Sequence, residues 1–179
     1  MKSEIIQNIN QAFLQLEFSI KLLTYTELGK IDKNGFDTDV IIGQENLSFN
    51  HSSFNTYDDL IIGATNNFNI TVGFTSIVLD SSCSSAGIKC NPKNKSPEGA
   101  LRTLVYMIRC AYAHNMMHPK WEVRGEYLQN IKISFANVIL DIDLTDKDGK
   151  PFDMDDIGGY KNYFMIKDLI CKMILNTML

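Results

Sequence analysis

Ser96-Pro97-Glu98-Gly99-Ala100-Leu101-Arg102-Thr103-Leu104-Val105-Tyr106-Met107-Ile108-Arg109-Cys110-Ala111-Tyr112-Ala113-His114-Asn115 is the stretch on which the fold turns. It opens with a serine able to cap a helix, a proline suited to the first helical position and a glutamate that complements the helix dipole. Leu101, Leu104, Val105, Ile108 and Ala111/Tyr112 then recur in steps of three and four, the stripe of one buried helix face. The spacing predicts a helix over residues 96–117, stopped by Pro119. Near its end stand Arg109 and His114, five positions apart among small and apolar residues.

Upstream, Ile5, Ile9, Ala12, Leu16, Ile20 and Leu23 keep the same helical step, so residues 3–28 read as a helix with Ser3 as its N-cap and Gly29 just past its end. Residues 56–82 contain a possible strand at Asn69–Val72. A longer stripe of Leu60, Ala64, Phe68, Val72 and Leu79 favours a helix, started by Thr56 with Asp58 and Asp59, and followed by a loop from Ser81 to Lys95. Between these two helices, residues 30–55 are polar and broken by glycine. Short strands are expected there at Val40–Ile42 and Leu47–Phe49, around a turn at Gly43-Gln44-Glu45-Asn46.

Downstream, Lys120-Trp121-Glu122-Val123 reads as extended, with the single tryptophan as a core anchor. Ile131–Phe135 and Val138–Leu144 alternate as strands, Thr145–Lys150 is a turn, and Pro151-Phe152 begins a return. Residues 155–178 complete the chain as a last helix. Gly158-Gly159 near its start predicts close approach of another element, since glycine in a helix costs roughly 1 kcal/mol. The expected fold is mainly α: one domain spanning residues 1–179, an antiparallel bundle of about four helices with a small β-hairpin between the third and the last.

The chain of 179 residues is long enough to bury a sizeable core, and its 45% hydrophobic and 21% charged content is that of a globular protein. No run of 18 apolar residues occurs, so no membrane span and no membrane partner are expected. The start, Met1-Lys2-Ser3-Glu4-Ile5-Ile6-Gln7, has an early acidic residue and no unbroken apolar stretch, unlike a secretory signal. Cys83, Cys90, Cys110 and Cys171 form no C-x-x-C pair and read as reduced thiols of a cytoplasmic protein. The net charge of −4 is unevenly spread. Residues 101–132 hold Arg102, Arg109, Lys120, Arg124 and Lys132 against Glu122 and Glu126, a local +3 on a remainder of −7. A basic region on an acidic body is compatible with holding a phosphate chain.

Several motifs fail on spacing. Asp143, Asp146, Asp148 and Gly149 resemble a calcium loop, but with Gly149 at the sixth position the first ligand would be Leu144. They read better as a polar hairpin turn. His114 and His118 could share a metal on a helix, yet no third ligand is evident, and neither metal nor cofactor is expected. There is no G-x-x-x-x-G-K-[ST], no G-x-G-x-x-G and no G-x-S-x-G. Cys110 and His114 lie one turn apart, but no orienting carboxylate stands near them in sequence.

Arg109 and His114 carry the remaining chemistry. Arginine is planar, always charged and matches phosphate with two prongs. Histidine accepts and donates protons near neutral pH. Together they suit cleavage of RNA without a metal, in which the 2′-hydroxyl needs a base, the leaving 5′-oxygen a proton and the phosphate a clamp. The structural alternative is an ion-paired helix arginine and a helix-end histidine. Five residues apart on a straight helix, the two side chains diverge by about 140°. Either the helix distorts near its end or a second copy completes the site, and two-fold dimers are the commonest oligomers.

Arg109-Cys110-Ala111-Tyr112-Ala113-His114-Asn115 resembles the R-x(4–6)-H motif of HEPN domains, and its place late in the third long helix is similar too. The likeness covers about residues 97–125, including Pro119-Lys120-Trp121-Glu122-Val123. It implies a two-fold homodimer of helical bundles and a metal-independent endoribonuclease, with Arg109 on the scissile phosphate and His114 in proton transfer. Asn115 and Tyr112 would support the site, and Lys120 and Arg124 would guide the RNA backbone. Such proteins often act as toxins or in phage defence, which implies an antitoxin or other regulatory partner. The motif departs at Cys110, where active members often carry a polar residue. Family members without catalysis serve as RNA-, nucleotide- or protein-binding modules, which is the alternative expectation.

Overall fold

The computed structural model describes residues 2–38, 40–43, 45–47, 54–135 and 138–177. Four long helices build the molecule: α1 (Lys2–Glu27), α3 (Tyr57–Ser85), α4 (Pro97–Ala113) and α5 (Gly159–Asn176). A single turn, α2 (Lys33–Phe36), follows α1. Among the described residues two small antiparallel hairpins accompany the helices, β1 (Val40–Ile42) with β2 (Glu45–Leu47), and β3 (Asn130–Phe135) with β4 (Val138–Asp143). The mainly α bundle with a hairpin between its last two long helices is the architecture that the periodicities predict.

Local chemistry sets most of the boundaries. Thr56 caps α3 in a reciprocal box: its hydroxyl accepts the Asp59 N–H, and the Asp59 carboxylate accepts the Thr56 N–H at 2.7 Å. Ser96 caps α4, accepting the Gly99 N–H at 3.1 Å, with Pro97 at the first helical position. Gly29 adopts φ +68° just past α1, where the Lys30 N–H reaches back to the Tyr25 carbonyl at 2.8 Å.

Four expectations are corrected. Ser3 is not the cap of α1, because the helix has already begun at Lys2. Helix α4 ends at Ala113, before Pro119 acts, because Asn115 captures the next turn with its side chain. The last helix does not start at residue 155. Met154–Ile157 forms a separate 3₁₀ turn, and Gly158 and Gly159 at φ +81° and +84° make the left-handed junction into α5. Those glycines serve backbone conformation at a helix boundary rather than packing inside a helix. In the first hairpin the second strand starts earlier than the spacing suggests, at Glu45; Ser48 and Phe49 of the expected strand lie outside the described residues.

The helices pack side by side with reversed direction. Tyr57 donates to the Thr26 carbonyl at 2.8 Å, and Asn67 donates to the Ser19 hydroxyl at 2.7 Å, so α1 and α3 run antiparallel. Arg102 of α4 meets Asp80 of α3 at 2.7 Å, while Tyr112 further along α4 lies against Gly73, again antiparallel. The core between them holds Phe13, Leu16, Val72, Leu104, Ile108, Tyr163 and Ile170. Tyr163 is fully buried, and its hydroxyl shares a 2.9 Å hydrogen bond with Thr75.

The β3–β4 hairpin lays one face on this core. Ile131 stands opposite Ile142 and Ile133 opposite Leu140, all four buried, whereas Lys132 and Asp141 pair outward at 3.2 Å. A second, irregular ladder fastens the segment after α4. The Trp121 N–H reaches the Lys150 carbonyl at 2.9 Å, the Gly149 N–H reaches the Trp121 carbonyl at 2.8 Å, and the Phe152 N–H reaches the Pro119 carbonyl at 3.0 Å. The extended 120–123 segment and the return at Pro151-Phe152 are thus partners. Trp121 anchors them: it is fully buried, and its indole N–H donates to Asp156 at 2.7 Å.

Candidate functional site

The site grows from the way α4 stops. His114 is the C-cap residue, at φ −100° and ψ −30°. The Asn115 side-chain carbonyl accepts the N–H groups of Met117 and His118 at 3.0 and 3.1 Å, closing a tight turn. Pro119 then commits the chain to an extended path. The Lys120 N–H returns to the Ala111 carbonyl at 3.1 Å, satisfying one of the helix's last free acceptors. The chain therefore doubles back along the end of its own helix.

That reversal puts His114, His118, Lys120 and Glu122 around one open cleft of about 520 Å³, with Ala111 and Asn115 completing its lining. Glu122 Oε1 stands 3.4 Å from His114 Nε2. His114 is largely exposed, so this contact adds little to the stability of the fold and leaves the imidazole accessible from the cleft. Lys120 is exposed and has no carboxylate partner among the described residues, so its ammonium is available to an anion.

Arg109 stands elsewhere. It is half-buried on α4 and does not line the cleft. Among the described residues it has no ion pair, and its charge acts on the nearby Tyr106 hydroxyl. Helix α4 is regular through Ala113, so one chain does not bring Arg109 and His114 together. The arginine buried against an internal carboxylate is Arg102, not Arg109. Arg102 also donates to the Ile88 carbonyl at 3.0 Å, tying the loop before α4 to α3.

The other expected binding residues divide. Lys120 lines the cleft. Arg124 is exposed and sits 3.9 Å from Asp148, a distant pairing that leaves it free to rearrange. Asn115 spends its carbonyl on the turn. Tyr112 is buried, with its ring edge-on to Phe152 at 5.2 Å, and burial pushes its hydroxyl far above the ordinary tyrosine range. It is a wall of the core rather than a group that reaches into the cleft.

Glu122 and His118 are the residues that sequence reasoning did not place in the site. Glu122 lies eight positions beyond His114, and only the reversal at Asn115–Pro119 makes them neighbours. A proline just after a histidine-bearing helix end was the available signal.

Among the described residues, no three His, Cys, Asp or Glu side chains converge to hold a metal ion. The aspartates of the β4 turn each have protein partners: Asp143 accepts from Thr145, Asp146 from Lys150 and Asp148 from the Val123 N–H. The four cysteines are free thiols; burial pushes Cys83 up to about 12, and Cys90 and Cys171 are raised for the same reason. No helix among the described residues is long and apolar enough to cross a membrane.

No protein-family model matches the chain, and neither curated proteins nor solved structures show significant similarity to it. The HEPN likeness therefore rests on the Arg109–His114 spacing and its position on the third long helix.

Proposed function

We propose that this protein is a metal-independent, HEPN-like endoribonuclease whose proton-transfer site is the His114 cleft. The observation that carries this reading is the Glu122–His114 pair at the rim of a cleft that also holds His118 and Lys120. Proton acceptor, proton donor and phosphate-binding cation, the three groups that phosphodiester transesterification needs, meet in one place. His114, oriented by Glu122, takes the proton from the ribose 2′-hydroxyl. The freed oxygen attacks phosphorus, and the bond from phosphorus to the 5′-oxygen breaks. His118 gives that oxygen its proton, leaving a 2′,3′-cyclic phosphate and a 5′-hydroxyl end. Lys120 holds the non-bridging oxygens.

Arg109 enters this scheme from a second copy. It has no ionic partner in its own protomer among the described residues and stands outside its own cleft. A two-fold homodimer through α4 would offer each cleft the partner's Arg109 as a phosphate clamp.

A non-catalytic RNA- or nucleotide-binding module is the second reading, favoured by the separation of Arg109 from His114 within one chain. Incubation with RNA in the presence of a chelator separates the two. The ribonuclease reading expects cleavage that falls by at least about 100-fold in His114→Ala and Arg109→Ala. It also expects recovery when the two variants are mixed, because a mixed dimer keeps one intact site. RNA binding without any cleavage product supports the binding module instead.

A further inference from the structure

A second cleft, of about 410 Å³, opens directly beside the first and shares His118 and Lys120 with it. Its character is different. Tyr160 is 45% exposed, and its ring is braced edge-on by Phe68 at 5.7 Å. Phe152 lines the same cleft, held by Tyr112 at 5.2 Å and by the buried Trp121 at 4.9 Å. These rings are held from behind by the core, so a flat ligand would meet a surface already in place. A volume of this size lies within the range of small-ligand sites, which are mainly apolar with a few placed polar groups.

Two polar groups are placed here. The Asn69 amide reaches the Met117 carbonyl only at 3.5 Å, the limit of a hydrogen bond, and so keeps capacity for another partner. The Asp153 carboxylate accepts the Asp155 N–H at 2.9 Å, and a carboxylate has acceptor positions to spare beyond that. An amide and a carboxylate at the rim of an aromatic slot match the flat face and N–H-bearing edge of a nucleobase. Stacking on aromatic side chains, with hydrogen bonds to the base edge, is how unpaired bases are generally held. Lys120, at the boundary of the two clefts, is where the attached phosphate would fall.

We infer that the aromatic cleft is a nucleobase subsite. It seats the base next to the scissile phosphate by stacking on Tyr160, while Asn69 and Asp153 contact the base edge. Guanine is the expected preference, because its edge offers adjacent N–H donors to Asp153. This inference rests on the ribonuclease reading for its role in catalysis, but base binding can be measured without cleavage.

The test is calorimetric titration of the whole protein with guanosine 5′-monophosphate and, separately, with ribose 5-phosphate, which lacks the base. The nucleotide should bind at least about fivefold more tightly than the sugar phosphate, and Tyr160→Ala should remove that difference. Tyr160→Phe keeps the ring and should retain it, which separates stacking from misfolding. Asn69→Ala, a change that helix α3 tolerates, should weaken nucleotide binding while leaving ribose 5-phosphate unchanged. Equal binding of the two ligands by the wild-type protein overturns the inference, as does a nucleotide affinity indifferent to Tyr160→Ala. RNA cleavage is followed in the same variants. Cleavage without base-dependent binding removes the subsite and leaves the ribonuclease reading standing. Tyr160-dependent nucleotide binding without cleavage does the reverse.

Discussion

Replacing Asp156 tests how the segment that carries Lys120 and Glu122 is held. The Asp156 carboxylate accepts from the Trp121 indole at 2.7 Å, from Lys147, and from the Asp153 N–H at 3.1 Å. Asp156→Ala removes all three bonds. The Trp121 ring is fully buried, so its N–H is left without a partner, a loss of about 1–3 kcal/mol. Lys147 regains water, and its share is under about 1 kcal/mol. The sum is about 1–4 kcal/mol, or roughly 2–16 °C in melting temperature for a chain of this length. Asp156→Asn keeps an acceptor for the indole and should cost about 1 kcal/mol.

The pH dependence carries a second check. Burial pushes the Asp156 carboxyl up, but hydrogen bonds from Lys147, Trp121 and the Asp153 backbone outweigh it and hold it below the usual carboxylate range. A depressed folded value means that the unfolded chain takes up the proton first. The stabilisation is complete above the ordinary carboxylate value and is lost as pH falls through the depressed one. The melting gap between wild type and Asp156→Asn should therefore narrow between pH 6 and pH 3, as followed by thermal denaturation monitored by circular dichroism. A melting temperature for Asp156→Ala within 1 °C of wild type would refute this anchoring, as would an Asn gap that does not change with pH.

Two further outcomes follow from the fold. Asp80→Ala strands the Arg102 guanidinium, whose side chain is only 4% exposed, and should cost about 3–5 kcal/mol in chemical denaturation; Arg102→Met, which removes the charge and fills its volume, should cost less. Gly158→Ala places a Cβ at φ +81° and against the Asn162 amide, and should lower stability by at least about 1–2 kcal/mol by the same measurement.

The helices were legible because their signals are local. Ser96-Pro97-Glu98 and Thr56 with Asp59 mark helix starts within four residues, and the apolar stripe of α3 outweighs the short alternation at Asn69–Val72. The alternation of Ile131, Ile133, Leu140 and Ile142 likewise reports one buried sheet face. What escaped depends on partners distant in sequence or on backbone sign. Whether Gly158-Gly159 lies inside a helix or joins two elements depends on φ, which composition does not reveal. The pairing of residues 119–123 with 148–152 carries no periodic signal of its own. Half of the candidate site was legible in the same sense. His114 and Lys120 stand out by type, but Glu122 becomes His114's partner only through the turn that Asn115 closes. The divergence of Arg109 from His114 was readable from helix geometry, and the regular α4 retains it.

Ribonuclease action at His114 is read most plainly from the chemistry of the RNA ends released by the wild-type protein and by His114→Ala in the presence of a chelator. The expected products of the wild-type protein are 2′,3′-cyclic phosphate and 5′-hydroxyl ends, formed at a rate that drops at least about 100-fold in a folded His114→Ala. Intact RNA with the wild-type protein, or cleavage undiminished by the substitution, would contradict it.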